Sequence, residues 1–406
     1  DTDRSRGLGD VYKRQVIMKL VGGKLMKKNS YLYHAGTSFF FYFAFACYNA
    51  MLALYLSDIH FNAQQISLIT SSAPLFSIFA QPYLGTLADR FRSPRKVSLV
   101  ALFITVVMNI IFMFSHQLII LLITSATILA LFNAVTPLTD RIGVSSPYDF
   151  GKIRLWGSVG YAISAQLCGF VYDVIAPISI FVIFLFGTIT VLICILRVND
   201  PEEVQTETKV EYSSKEAYKS LFKNKQYIIF LLISFFFWGA CTANFTYISV
   251  FIKSVGGTAS MVGTYQLFAT LFEVPAILAT DFIIKKFSYK HIMLFACAMS
   301  VVNFVWYATL PNPNLIVAVF VFKGLSTILF TMITVRLIME IVEDKYVSTA
   351  FGLQATVGRG IGAAVVQLIG GKMIDSFSTM TPFYLFLSLL IVTALVLSLT
   401  FKEKRA

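Results

Sequence analysis

The chain has 406 residues, of which 57% are hydrophobic and only 13% are charged, and its mean hydropathy is +0.75. No soluble core needs so much apolar surface, so this composition excludes a soluble globular protein and favours an integral membrane protein. The formal net charge of +12 suits contact with anionic lipid and gives no argument for nucleic-acid binding.

Twelve apolar stretches follow one another along the chain, each long enough to cross a hydrocarbon core of roughly 30 Å. The runs are continuous and lack the period-two alternation of membrane strands, so we expect an all-α integral membrane fold with twelve transmembrane helices. The predicted spans, first to twelfth, are Tyr31–Leu56, Gln65–Leu84, Val97–Ser115, Leu118–Thr139, Ile153–Tyr172, Pro177–Arg197, Tyr227–Ile252, Met261–Ile284, Ile292–Leu310, Leu315–Met339, Thr349–Gly370 and Thr381–Phe401.

Lysine and arginine are distributed unequally between the two sets of loops. The loops that follow odd-numbered spans contain only Lys253 and Lys372, whereas the other loops and the chain ends are rich in both residue types. Loops rich in Lys and Arg stay on the cytoplasmic side, so both termini are predicted to be cytoplasmic. The expected location is the inner cell membrane, as a multi-pass protein.

A polar, charge-rich stretch at 199–226 separates the sixth and seventh spans and predicts a cytoplasmic linker. It divides the chain into an N-terminal six-helix bundle at 26–198 and a C-terminal six-helix bundle at 227–406. Residues 1–25 form a lead segment, whose first part is dense in charge and is interpreted as non-native.

The two halves share residues at a fixed offset. The matched pairs, each 202 residues apart, are Gly160 with Gly362, Gly169 with Gly371 and Asp173 with Asp375. Pro74 in the second span also has Pro275 in the eighth, 201 residues later. Such repetition predicts a duplicated unit, which is the build of a secondary transporter with its substrate site near the midplane.

The loop after the second span carries Gly85, Asp89, Arg90 and Arg95. It resembles the loop signature of the major facilitator superfamily, in which a Gly packs two helices and an Asp with nearby cations closes the cytoplasmic side. The usual second Gly is missing and the loop is one residue longer. The resemblance implies a cytoplasmic gate formed by these four residues, and it says nothing about the substrate.

Three further stretches resemble the lactose permease branch of this superfamily, whose relatives carry nucleosides or aromatic acids. They read FAQPYLG at 79–85, FNAVTPLTD at 132–140 and FGKIRLWGSVGY at 150–161. In the aromatic first span, only Tyr42 and Asn49 are polar enough to be candidates for a cavity lining.

By this resemblance, Asp140 stands at the position of a sugar-binding Glu, Arg154 at that of its Arg partner, and Tyr161 at that of a sugar-stacking Trp. With Asn133 they would form the N-terminal wall of a midplane cavity. A guanidinium and a carboxylate suit hydroxyl or carboxylate groups, and an aromatic face packs on a ring. The alternative is that Asp140 and Arg154 are loop charges at the cytoplasmic ends of their spans.

The C-terminal wall departs from the permease pattern. Lys323 and Arg359 align with two lysines that acids of the seventh span hold in place, but here this span has no Asp or Glu, and Asn244 is the nearest polar stand-in. Glu273 is the acid deep in this half, where a charge is costly and usually functional. It is either a proton site opposite Lys323 or one member of a static ion pair with Lys323.

The expected cavity charges are Arg154, Lys323 and Arg359 against Asp140 and Glu273, which leaves one surplus positive charge. An anionic substrate would relieve the cost of an unpaired cation in a cavity of low dielectric constant. A sugar acid or an aromatic carboxylate is therefore favoured over a neutral sugar.

We interpret the chain as a secondary active transporter, a proton-coupled symporter of a sugar, sugar acid, nucleoside or aromatic carboxylate that works by alternating access. Coupling is assigned to Glu273, Asp140 and Lys323, and a monomer without cofactor or metal is expected. A proton-coupled efflux antiporter is the first alternative, although the stretch at 157–172 lacks the Gly-Pro signature of drug exporters. A membrane-embedded enzyme is a weaker alternative, because the spans contain no metal-ligand motif and no nucleophile with a base.

Overall fold

The computed structural model describes residues 29–200 and 214–401. Within these ranges the chain is almost entirely helical and no strand occurs. The helices are α1 Tyr31–Asp58, α2 Ala63–Arg90, α3 Pro94–Phe114, α4 Leu118–Val144, α5 Phe150–Val174, α6 Ser179–Leu196, α7 Ser214–Lys223, α8 Lys225–Ser254, α9 Ala259–Leu278, α10 Thr280–Lys286, α11 Tyr289–Thr309, α12 Pro313–Ala318, α13 Phe320–Ile341, α14 Val347–Gln354, a π-helix at Ala355–Gly362, α15 Ala363–Ser376 and α16 Thr381–Thr400. The predicted lead segment at 1–25 and residues 201–213 of the predicted linker lie outside the described ranges.

Polar residues at the helix starts set several span boundaries. Asn62 accepts a hydrogen bond from the backbone N–H of Gln65, whose side chain accepts one from the backbone of Asn62 in return. Ser93, Asp149 and Asn224 cap the third, fifth and seventh spans in the same way, with a side-chain oxygen on backbone N–H groups. These caps satisfy the amides that the first turn of a helix leaves unpaired.

Helices cover each of the twelve predicted spans, with the eighth, tenth and eleventh each built from more than one helical piece. Among the described helices, eight are long and apolar enough to cross a membrane by length and composition alone. The four spans that miss this criterion are the second, fifth, eighth and eleventh. They supply most of the contact between the two halves of the described chain, where polar residues are tolerated because they are shielded from lipid.

Helix packing divides the described chain into two bundles. In the first, the first span packs on the fifth and sixth spans, and the second and third spans pack on the fourth. In the other, the seventh span packs on the eleventh and twelfth, the ninth on the tenth and twelfth, and the eighth on the tenth. The two halves meet where the fifth span contacts the eighth, the second contacts the eleventh and, less extensively, the first contacts the seventh. The exact bundle boundaries at 198 and 227 stay a prediction.

The repeated glycines occupy equivalent places in the two halves. A Cβ atom at Gly160 would collide with the carbonyl oxygen of Phe39 in the first span, and one at Gly362 with that of Phe235 in the seventh. Both glycines therefore allow a close backbone approach within their own half, as small residues commonly do between membrane helices.

The spacing of these contacts corrects one of the proposed repeat matches. The partners Phe39 and Phe235 are 196 residues apart, not 202. An offset of 196 near the start of each half makes Thr270 the counterpart of Pro74, so the match of Pro74 with Pro275 was wrong. A difference in length between the early and late spans of the two halves explains why no single offset serves the whole chain.

The five cysteines differ in burial and in bonding. The sequence alone indicates five buried, apolar thiols, but the structure joins Cys47 and Cys168 in a disulfide between the first and fifth spans, with Cα atoms 5.8 Å apart. Cys194 and Cys297 are buried, whereas Cys241 is half-buried and faces the space between the two halves.

Candidate substrate cavity

A cavity of about 470 Å³ lies between the two halves, a size that suits a small organic molecule. The first, second, fourth and fifth spans line it from one side, and the seventh, eighth, tenth and eleventh spans from the other. Its lining residues are Phe45, Asn49, Leu52, Ala53, Thr70, Ala73, Pro74, Leu129, Asn133, Tyr161, Trp238, Cys241, Thr242, Phe245, Thr246, Glu273, Lys323, Thr327, Ile328, Thr331, Arg359 and Gln367.

Five of the residues predicted to bind substrate or protons meet in this lining: Asn133, Tyr161, Glu273, Lys323 and Arg359. They come from the fourth, fifth, eighth, tenth and eleventh spans, so they converge only through tertiary packing. Their roles in binding and coupling stay predictions, because proximity to a cavity does not identify what fills it.

Arg359 projects from the π-helix of the eleventh span into the cavity, where its side chain is exposed. Its guanidinium carbon lies 3.9 Å from the centre of the Trp238 ring, and its Nη2 is 3.5 Å from the Thr331 hydroxyl. A π-helix widens the local backbone, a feature often found at functional sites. Gly358, one residue earlier, packs without a side chain against the edge of Trp238.

Glu273 and Lys323 face each other across the cavity wall of the second half. Both side chains line the cavity, but among the described residues no ion pair within 4 Å joins them. The eighth span begins at Ala259, so Glu273 lies about 21 Å along that helix at 1.5 Å per residue. This depth places a charged group well inside the hydrocarbon thickness. The geometry therefore does not contain the tight static pair that was the alternative for Glu273.

Asp140 and Arg154 were expected in the cavity lining, and the structure places them elsewhere. Asp140 lines a separate, smaller pocket with Tyr42 between the first, fourth and fifth spans. Arg154 packs its guanidinium carbon 4.1 Å from the centre of the Tyr42 ring. Both lie near the ends of their helices, and neither is among the residues that line the cavity.

Asn244 is also absent from the cavity lining. It is buried inside the second half, with only 2% of its surface exposed. The seventh span turns Trp238, Cys241 and Phe245 toward the cavity, and Asn244 lies on another face of that helix. It is therefore a core residue in this structure, not a substitute for the missing acids of the seventh span.

The predicted gate in the loop after the second span does not join the two halves in this structure. Asp89 pairs at 2.7 Å with Arg141 of its own half, and Arg95 donates to the carbonyls of Ile195 and Leu196 at the end of the sixth span. Arg90 is exposed.

Gly85 was expected to pack two helices, but among the described residues no other helix comes within 4 Å of where its Cβ would be. The close contact expected of Gly85 is therefore absent, and with it the packing that would close this end of the molecule.

Two carboxylates join the halves at the opposite end, which we call the outer face and define by the loops that follow odd-numbered spans. Asp173 accepts hydrogen bonds from Ala259 N at 3.0 Å and from Ser260 N at 2.7 Å. Asp375 accepts from Ala63 N and Gln64 N, both at 2.8 Å.

These two contacts, here called the outer latches, are equivalent by the repeat. Each acid ends one helix and caps the first turn of a helix in the other half, where unpaired amides and the helix dipole favour a negative charge. Gly169 and Gly371, one turn before each acid, let the backbones of the two halves touch.

A third contact at the outer face has no counterpart by the repeat. Lys253 of the second half pairs with Asp58 of the first at 2.6 Å, and Asp58 also accepts a hydrogen bond from Tyr172 at 2.6 Å. The outer end of the cavity is therefore closed by charged contacts between the halves.

A family model described as the MFS_1 like family matches residues 31–385, which is most of the chain. The chain belongs to this family of the major facilitator superfamily. It is a multi-pass membrane transporter with the major facilitator fold that the loop signature indicated.

Two permeases are similar to this MFS_1-like protein along most of their length. The maltose permease of Geobacillus stearothermophilus is 27% identical over 372 residues, which cover 90% of this chain and 93% of the permease. The xanthosine permease of Escherichia coli K12 is 22% identical over 368 residues, which cover 84% and 87%. The crystal structure of the nucleoside transporter NupG superposes with a TM-score of 0.81 at 16% identity, covering 92% of this chain and 99% of that one.

Sequence reasoning missed Trp238 and Phe245, which line the cavity of this MFS_1-like protein beside its two cations. Their spacing of seven residues places them on one face of a helix, two turns apart. That signal was available, but the seventh span is aromatic along much of its length, so the spacing alone did not separate these two rings from packing residues.

Proposed function

We propose that this MFS_1-like protein is a proton-coupled symporter that carries a small polar organic solute through the membrane by alternating access. The observation that carries the proposal is the cavity between the halves, which combines charged, amide and aromatic side chains at the depth expected for a transporter site. The proposal includes the cytoplasmic membrane as location, cytoplasmic termini and a monomer that needs only a proton as coupling ion.

The contacts at the two faces support alternating access. The outer latches hold the halves together at one face, while the signature loop at the other face pairs within its own half. This combination corresponds to an inward-facing conformation. Rocking of one half against the other would break the latches and open the cavity to the opposite side.

Glu273 is the proposed proton site. It is the acid in the cavity lining, and a carboxylate at such depth costs about 2.5–3.5 kcal/mol on insertion scales. Because Lys323 lines the same cavity and no ion pair within 4 Å joins the two among the described residues, a small movement or an arriving substrate can change whether Glu273 holds its proton.

The substrate classes of the proposal are a sugar, sugar acid, nucleoside or aromatic carboxylate. The two similar permeases are named for maltose, which is a sugar, and for xanthosine, which is a nucleoside. An efflux antiporter remains the competing function, and the direction of uptake under a pH gradient separates the two.

Cys241 provides a native probe for testing the site. It lines the cavity, whereas the other free thiols of the described chain are buried. A panel of radiolabelled sugars, sugar acids, nucleosides and aromatic carboxylates should include a solute that accumulates in proteoliposomes with an imposed pH gradient. The same solute should slow alkylation of Cys241 by N-ethylmaleimide in the detergent-purified protein.

The Cys241→Ser variant is the control, because it should lose the cavity-dependent alkylation while keeping uptake. Accumulation of a solute that leaves the alkylation rate unchanged would place the substrate outside this cavity. Absence of proton-driven accumulation across the whole panel would overturn symport.

A further inference from the structure

The two cations of the cavity both lie against aromatic rings of the seventh span. Arg359 stacks at 3.9 Å on Trp238, and Lys323 Nζ lies 5.9 Å from the centre of the Phe245 ring. Trp238 and Phe245 are two helical turns apart on the same face. One helix therefore presents a ring to each cation.

An aromatic ring affects a cation differently from a carboxylate. The negative face of the ring attracts the positive charge and holds the side chain in place, but it carries no net charge. The seventh span contains no Asp or Glu, and among the described residues no carboxylate lies within 4 Å of either cation. The rings therefore position Arg359 and Lys323 without neutralising them.

The charge in the cavity remains unbalanced after the structure removes Asp140 and Arg154 from its lining. Among the described residues that line the cavity, the charged ones are Lys323, Arg359 and Glu273, so one positive charge is still in surplus. Arg359 is the exposed member of the pair, and the ring of Trp238 covers one face of its guanidinium. The N–H edge of a guanidinium matches the two oxygens of a carboxylate.

We propose, on the basis of the transport function proposed above, that the substrate is a ring-bearing carboxylate and that Arg359 anchors its carboxylate group. Trp238 is the positioning residue, because its indole holds the guanidinium in the cavity, where no carboxylate of the described residues pairs with its N–H edge. The ring of the substrate lies toward Tyr161 on the opposite wall. A sugar acid and an aromatic acid share this chemistry.

Two matched pairs of probes distinguish an aromatic acid from a sugar acid. They are 3-phenylpropionate with 3-phenylpropionamide, and glucuronate with glucuronamide. For each compound, the concentration that halves the rate of Cys241 alkylation is measured in the purified protein. In one pair the carboxylate should act at a concentration about tenfold lower than its amide, the effect of one charge-assisted bidentate contact. The pair in which the carboxylate protects at the lower concentration shows whether the substrate carries an aromatic ring or a sugar ring.

Four variants test the assigned roles. Arg359→Lys keeps the charge but loses the fork, and Trp238→Leu loses the stacking face, so both should reduce the carboxylate-to-amide ratio several-fold. Trp238→Phe retains an aromatic face and should preserve the ratio. Trp306→Leu, which changes a tryptophan outside the cavity lining, should also preserve it. Monodisperse elution on size-exclusion chromatography shows that each variant is folded.

Equal protection by carboxylate and amide in both pairs would overturn the proposal, as would a ratio that Arg359→Lys and Trp238→Leu leave unchanged. If neutral sugars or nucleosides accumulate and protect Cys241 while no carboxylate does, the anion proposal fails and the transport function stands. If no solute accumulates at all, the transport function itself fails.

Discussion

At the scale of single residues, the chemistry of the cavity depends on how each charge is partnered. Glu273 has a cation nearby but no close ion pair, and Arg359 has an aromatic ring in place of a carboxylate. By contrast, the charges at the two faces, such as Asp89 and Asp58, form ion pairs of 2.7 and 2.6 Å. Charges left without a close counter-ion at mid-membrane are costly, so their retention points to function.

Glu273→Gln should separate substrate movement from proton coupling. The amide keeps the size and polarity of the side chain but exchanges no proton, so solute exchange across the membrane should persist while accumulation driven by a pH gradient is lost. Counterflow and gradient-driven uptake in proteoliposomes measure the two activities. Glu343→Gln, at an exposed glutamate paired with Lys345, should retain both. Full accumulation by Glu273→Gln would show that another group carries the proton.

At the scale of helices, polarity follows position in the bundle. The second, fifth, eighth and eleventh spans make most of the described contact between the halves and do not combine the length and the apolarity of a membrane-crossing helix, whereas the other eight spans meet that criterion. The same four interface spans supply both the outer latches and part of the cavity lining.

The outer latches should control how often the cavity opens to the outside. Asp173→Asn together with Asp375→Asn replaces two carboxylates, each of which caps a helix, with neutral amides. Each amide keeps one accepting oxygen where the carboxylate has two, and losing one hydrogen bond to a charged group costs about 1.5 kcal/mol, so the pair should shift the equilibrium toward the outward-open state by about tenfold or more. The readout is labelling of Thr70→Cys, in a Cys241→Ser background, by an impermeant maleimide added outside cells.

Thr70 suits this measurement because it lines the cavity but is otherwise buried. Asp149→Asn is the matched control, since Asp149 also caps a helix start but does so within its own half. It should leave the labelling rate unchanged. Equal rates in the latch variant and the parent protein would mean that other contacts, such as Lys253 with Asp58, hold the outer face closed.

At the scale of the whole molecule, orientation is expected to follow the distribution of lysine and arginine. A fluorescent protein fused after Ala406 should therefore be fluorescent, and alkaline phosphatase fused there should be inactive, because both readouts report a cytoplasmic end. Fusions after Gly257, in the loop that follows the seventh span, should give the opposite pattern. Active phosphatase at Ala406 would reverse the assignment of inner and outer faces.

The sequence by itself determined the features that depend on local composition. Apolar length predicted where each helix runs, and the loop signature at Gly85 to Arg95 predicted the superfamily. The sequence also predicted five residues that meet in one cavity, from Asn133 to Arg359. These predictions succeeded for two reasons. A membrane span is a property of consecutive residues, and an ionisable side chain deep in a span usually faces a polar cavity because exposure to lipid is costly.

Only the tertiary structure decided which residues face each other. The resemblance to the permease branch predicted Asp140 and Arg154 in the substrate cavity, yet neither lines it, and Arg154 lies against the ring of Tyr42. Trp238 has no polar signal in the sequence, yet the packing of the seventh span on the eleventh brings it to Arg359. The repeated acids Asp173 and Asp375 were visible as a pattern, but each finds its partner amides on a helix from the other half. Such contacts depend on helix rotation and offset, which non-local packing determines.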